Sequence, residues 1–133
     1  MPDFEAKVAT LKDNKEVAIC QLSGGIDTST LLNFQSALYR LRRQGIKRLV
    51  LDMENISYVN STGFSVLLKH AELFKKSAGE LVLANMHSKV QLVFDVLGLS
   101  PYINLFPSVE EAVAGITSDE AVTAPPEDAS SGN

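Results

Sequence analysis

Two hydroxyls stand side by side at Ser61 and Thr62, between Asn60 and Gly63 and directly before a run with helical spacing. Hydroxyls and amides at a helix start do one ordinary thing: Asn60 or Ser61 can cap the helix by accepting a backbone N–H bond. They can also do something less ordinary. A phosphoryl group on Ser61 would meet unpaired N–H donors and the positive helix end, and would add nearly two negative charges to the surface. That is enough to repel or re-sort a protein partner. Both readings fit these residues.

Other residues with chemical potential are more weakly placed. His70 falls on the same expected helix and His87 follows an expected strand, but no Cys/His/Asp/Glu group has metal-ligand spacing, so no metal is expected. Cys20, the lone cysteine, sits in an apolar run, cannot form an intramolecular disulfide and suits a reducing compartment. Arg40, Arg42, Arg43, Lys47 and Arg48 form a basic cluster around the end of the first expected helix, where cations suit the negative terminus. Asp52, read as the end of a strand, raises a receiver-type phosphoacceptor as a rival, but that chemistry needs an acidic pair for magnesium. The early loop offers only Asp27. No nucleotide-binding glycine motif and no Ser/His/Asp set occurs, so the expectation is a binding protein, not an enzyme, with no cofactor of its own.

The elements that would position these residues alternate. Phe4 to Leu11 alternates apolar and polar as a half-buried strand does, and Asp13-Asn14-Lys15 turns it into the apolar run Val17 to Leu22. Ser23-Gly24-Gly25-Ile26-Asp27 follows as a loop. Asp27-Thr28-Ser29-Thr30 offers caps to a helix with Leu31, Phe34, Leu38 and Leu41 inward. Leu49-Val50-Leu51 is a buried strand, and the second helix carries Phe64, Leu67, Leu68, Ala71 and Phe74. Leu81 to Ala84 is another strand. A third helix from about Ser88 to Leu97 turns Val90, Val93, Phe94 and Leu97 inward. Ile103 to Phe106 is a short last strand, and Pro107-Ser108 opens a final helix. Gly45, Gly79 and Gly98 follow the first three helices, where the left-handed position favours glycine. Strands joined through helices pair in parallel. The fold class is therefore α/β: one domain over 1–117, with a mostly parallel sheet, an N-terminal antiparallel hairpin and about four helices.

Length and composition agree with this. The 133 residues are 45% hydrophobic and 21% charged, ordinary for a globular domain, and no run approaches a membrane span. The net charge of −4 is unevenly placed. Four of the sixteen acids (Asp119, Glu120, Glu127, Asp128) follow Ser118, leaving twelve against twelve Lys and Arg. Residues 118–133 are expected to be a disordered acidic tail, and the neutral remainder gives no reason to expect nucleic acid as a partner. The cytoplasm is the expected compartment.

The run from Leu49 to Gly63 resembles the signature of STAS domains, specifically bacterial anti-sigma factor antagonists: an apolar strand, a Met53-x-x-Ile56-x-Tyr58 segment, then Asn60-Ser61-Thr62-Gly63. Leu22-Ser23-Gly24-Gly25-Ile26-Asp27 is similar to a second family segment, and Leu92 to Leu99 to a third, so the likeness covers roughly residues 3–117 in order. The resemblance implies transcription regulation by partner switching. Members bind an anti-sigma factor that is also a serine kinase and so release a sigma factor. The kinase inactivates them by phosphorylation with its own ATP and magnesium, and a phosphatase resets them. Carried over, the phosphoacceptor is Ser61, with Thr62 a lesser candidate, and Asp27, Asn60, Ser61, Thr62 and Gly63 form the docking surface. Asn60 departs from the Asp usual before the acceptor; it keeps the shape and capping capacity but loses a charge. Some STAS domains act instead as permanent, unphosphorylated adaptor subunits of other regulatory or transport complexes, which stands as the alternative.

Overall fold

The structure, a computed structural model, describes residues 4–122. Strands β1 (Glu5–Thr10) and β2 (Val17–Ile26) form an antiparallel hairpin. There follow α1 (Leu31–Arg43), β3 (Arg48–Val59), α2 (Ser61–Lys76), β4 (Glu80–Ala84), α3 (Ser88–Val96), β5 (Leu105–Phe106) and α4 (Val109–Val122). The five strands lie in the order β1-β2-β3-β4-β5, with every pair after the hairpin parallel. The expected α/β architecture is present, with its N-terminal hairpin and four helices.

Both faces of the central strands are covered, which explains their near-continuous apolar runs. On one face Cys20, Leu22, Leu49, Leu51, Leu81 and Leu83 pack against Phe34 and Leu38 of α1, Phe64, Leu67 and Phe74 of α2, and Val90 and Phe94 of α3. On the other, Val17, Val50, Val82 and Ala84 meet Ala112 and Ile116 of α4. Phe34, Phe64, Phe74 and Phe94 are fully buried, each contributing roughly 2–3 kcal/mol of apolar transfer. Among the described residues no helix is long and apolar enough to cross a membrane.

Strand β3 is longer than its apolar run suggests. Alternation holds through Leu49, Leu51 and Met53, and then the buried positions become Ile56 and Val59, three apart. Two register shifts against β2, between Gln21 and Ser23 and between Gly24 and Gly25, each give β3 one extra residue. Such bulges turn a strict two-residue period into three and keep Met53, Ile56 and Val59 on the same core. Ser23 to Ile26, expected as loop, is the continuation of β2 along this bulged strand.

Other expectations need correction. Val93 and Leu97 are exposed, because the nine-residue α3 presents only Val90 and Phe94, four apart, to the core. The last strand is confined to Leu105–Phe106. Helix α4 continues to Val122, past the expected start of the tail at 118, and residues 123–133 lie outside the described ones. Gly45 and Gly98 hold the left-handed C′ position as expected, at φ 93° and 74°, but after α2 that position belongs to Ala78, at φ 63°. The N–H of Gly79 donates to Phe74 O (2.8 Å) and that of Ala78 to Lys75 O (3.0 Å), a Schellman closure.

Gly79 is glycine for a different reason: a Cβ there would stand 1.9 Å from the Lys47 carbonyl oxygen. Gly79→Ala should therefore destabilise the domain by about 3 kcal/mol or more in urea unfolding, as strain against fixed backbone does. Ala78→Gly should stabilise it by about 0.5–1 kcal/mol by relieving the left-handed alanine.

Candidate functional site

The carboxyl ends of β2 and β3 bring the two sequence segments together. Ile26 and Val59 are paired in register, and the Asn60 N–H donates to the Ile26 carbonyl (2.9 Å). The last residue of β2 thus touches the residue before α2. Asn60 is extended (φ −82°, ψ 172°), and its Oδ1 accepts the Gly63 N–H at 2.7 Å. The capping ambiguity resolves onto Asn60. Ser61, the first helical residue, and Thr62 are exposed, and the first turn of α2 holds no acidic residue.

Gly63 is buried where the two segments meet. A Cβ on it would lie 2.7 Å from Ile26 Cγ2, 3.0 Å from Val59 Cγ1 and 3.2 Å from Asn60 Oδ1. Its role is close approach, not contact with a partner. Behind it Phe64 packs against Phe94 of α3, with ring centroids 6.2 Å apart, so the first turn of α2 stands on rigid core.

Asp27 organises the neighbouring loop. Its Oδ1 accepts from Ser29 Oγ (2.7 Å), Ser29 N (2.9 Å) and Thr30 N (3.3 Å). These bonds, the Ser29 hydroxyl foremost, hold its carboxyl below the usual carboxylate range. Thr30, the N-cap residue of α1, uses its hydroxyl elsewhere: it donates to Gly25 O (2.7 Å) and accepts from Asp27 N (3.0 Å). The acidic loop is thus preset beside the Ser61 turn. Tyr58, exposed and opposite Gly25, belongs to the same surface. Nothing in its alternation singled it out, because the bulge that turns it outward is not visible in side-chain pattern alone.

The sheet shapes this surface. Ligand crevices in open α/β sheets form where strand order reverses. Here the order runs monotonically, and α1, α2 and α3 all pack on one face. Ser61 and Thr62 therefore stand on an open surface next to the Asp27 loop and not in a crevice.

Asp52 lies within β3, not at its end. It is buried, and its Oδ1 accepts from Glu54 N (3.1 Å) and Asn85 Nδ2 (3.1 Å). It is seven residues before the strand end that meets Asp27, so it shares no site with that acid. His87 Nε2 lies 2.6 Å from Glu54 O. Burial pushes the Cys20 thiol up to about 11. Among the described residues no group of His, Cys, Asp and Glu could hold a metal ion.

The model of the STAS domain family matches residues 9–112. The chain belongs to the STAS domain family. It is 27% identical over 115 residues to the anti-sigma F factor antagonist of Paenibacillus polymyxa, covering 85% of this chain and 95% of the relative. It is 28% identical over 103 residues to the anti-sigma-B factor antagonist of Bacillus subtilis, covering 77% and 94%. In three dimensions it is similar to the anti-sigma factor antagonist SpoIIAA in its unphosphorylated form (TM-score 0.70, 20% identity, 87% of this chain and 97% of that one). It is also similar to an anti-sigma factor antagonist from Mycobacterium paratuberculosis (TM-score 0.76, 19% identity, 86% and 94%).

Two predictions follow from the geometry. Asn60→Ala should cost about 1 kcal/mol in denaturant unfolding, while Asn60→Asp should keep the cap and cost close to nothing. Burial, with Arg42 and Lys69 nearby, pushes the His70 imidazole down to about 4. The unfolded chain then binds a proton that the folded one refuses, so stability falls as pH drops from 6.5 towards 4. The loss is on the order of 3 kcal/mol and should be absent in His70→Leu.

Proposed function

We propose that this chain is an anti-sigma factor antagonist that binds an anti-sigma factor with serine-kinase activity while Ser61 is unphosphorylated, and that phosphorylation of Ser61 ends the complex. The observation that carries this reading is the division of labour at α2: Asn60 takes the cap, leaving the Ser61 side chain exposed at the helix start. A hydroxyl committed to capping would have to leave its bond before it could accept a phosphoryl group. This one is already outside. A phosphoryl group on Ser61 would gain the positive helix end, with no acid in the first turn to oppose it. It would also set a second negative group beside the preset Asp27 loop, and a partner complementary to one acid would meet two.

In this reading Asp27, Asn60, Ser61, Thr62 and Gly63 bear on the partner in different ways. Ser61, Thr62 and Asp27 present groups to it, while Asn60 and Gly63 hold the turn in place. Asn60 replaces a charged residue by a neutral one without changing the cap, so the site is less acidic before modification and the charge added by phosphorylation is a larger relative change. The role is binding and not turnover, in the cytoplasm, with a phosphatase restoring the unmodified state.

The test uses protein purified from the native host, and full-length baits with Ser61→Ala and Ser61→Glu. Intact-mass and peptide spectra should find phosphate on Ser61. Wild type and Ser61→Ala should retain a serine-kinase partner that Ser61→Glu loses by about a hundredfold in affinity, the scale of a desolvated like-charge contact. Equal binding by all three baits to one partner, with no phosphate at 61, would replace the switch by a permanent adaptor. A STAS-like fold also occurs in the murine anion transporter Slc26a9 (TM-score 0.69 over 89% of this chain and 22% of that one).

A further inference from the structure

Helix α4 packs on β3, β4 and β5, and the hairpin end of that sheet face is left open. Between the two lies a groove of about 500 Å³, on the side of the sheet away from α1, α2 and α3. That is a volume in which small molecules bind. Its lining follows from strand register. Lys7, Gln21 and Asp52 stand in one row across β1, β2 and β3, and Ala9 and Ile19 in the next. Glu54 follows on β3, while Val109 and Glu110 come from the first turn of α4. Three carboxylates thus face one ammonium, which leaves two negative charges uncompensated. Among the described residues none of the three carboxylates is in an ion pair.

Asp52 sets this groove apart from an acidic stretch of surface. It is 7% exposed, and its Oδ1 is already taken by the Glu54 N–H and the Asn85 amide (both 3.1 Å). Its Oδ2 has no partner among the described residues. The enclosed unpaired atoms of those residues, Arg42 Nε and His70 Nδ1, lie between α1 and α2. Asp52 Oδ2 is not one of them, so a molecule in the groove can reach it. A nearly buried carboxylate with one oxygen unanswered is costly unless a cation meets it.

We infer that this groove binds an aliphatic diamine, with one ammonium on Asp52 Oδ2 and the other held by the exposed carboxylates of Glu54 and Glu110. Among the described residues no three acids could hold one metal ion together, so the complementary charge is spread along a chain. A single open oxygen suits an ammonium, a compact charge, whereas the planar fork of a guanidinium takes two. Ala9, Ile19 and Val109 give the methylenes between the amines an apolar surface. The positive start of α4 opposes a cation, and Glu110 and Glu111 in its first turn offset that. The groove and α2 are on opposite faces of the sheet, so this site stands apart from Ser61 and does not rest on the proposed function.

Putrescine, a four-carbon diamine, is the probe, titrated into the full-length chain at constant ionic strength. Saturable shifts of the Asn85 side-chain amide resonances and a rise in Tm are expected. Asp52→Asn should weaken binding by about tenfold, the equivalent of one charge-assisted hydrogen bond, and so should Glu54→Gln combined with Glu110→Gln. No saturable response, or one kept in full by the Glu54→Gln/Glu110→Gln variant, would overturn the site. If Asp52→Asn loses its folded circular-dichroism signal, that double variant of exposed residues decides. Butylamine binding as tightly as putrescine would overturn the two-charge assignment, and magnesium chloride giving the same shifts would overturn the amine. Tighter binding of N-acetylarginine amide would overturn it in favour of a protein side chain.

Discussion

A missing methyl group holds the two halves of the surface around Ser61 together. Gly63 lets the first turn of α2 come close enough to Ile26 that any side chain would collide with Ile26, Val59 or Asn60. That closeness sets the rest. It lets the Asn60 N–H reach the end of β2, it turns the Asn60 amide back onto Gly63, and it brings the Asp27 loop beside Ser61. Beneath it, the contact of Phe64 with Phe94 ties the same turn to α3. A larger residue at 63 would not delete one contact; it would separate two strand ends.

The electrostatics follow from that geometry. A helix start has N–H groups to spare, and Asn60 satisfies one of them with a neutral oxygen. The remaining positive end faces outward under an exposed serine. The Asp27 carboxylate is meanwhile spent on its own loop, bonded to Ser29 and Thr30, so its charge is fixed in position. One side of the patch carries a fixed negative charge and the other a fixed positive potential, with the exposed Ser61 over the second.

How much of this the sequence disclosed depended on which physical signal carried it. Periodicity exposed the helices and central strands, because Phe34, Leu38, Phe64, Leu67 and Leu81 sit where a two-sided sheet needs them. Ser61 and Asp27 stood out through turn chemistry and family likeness. Three things were hidden. The bulges of β3 change a period, and a period can be seen to change only once the partner strand is known. Glycine at 79 looked like a helix stop because local sequence shows φ preference and not the Lys47 carbonyl 32 residues earlier. The isolation of Arg42 and His70 likewise exists only where α1 and α2 meet.

The monotonic strand order has a consequence for how the chain is made. Each strand pairs with the one just before it in sequence, so no gap in the sheet waits for a later segment. As the nascent chain leaves the ribosome, every new strand finds its edge already in place, with its crossover helix landing on a face partly built. Ser61 and Asp27 are joined by the third strand of five. The strand pairing that sets Asp27 near Ser61 therefore needs nothing beyond the start of α2, whereas Phe94, which backs that turn through Phe64, arrives only with α3.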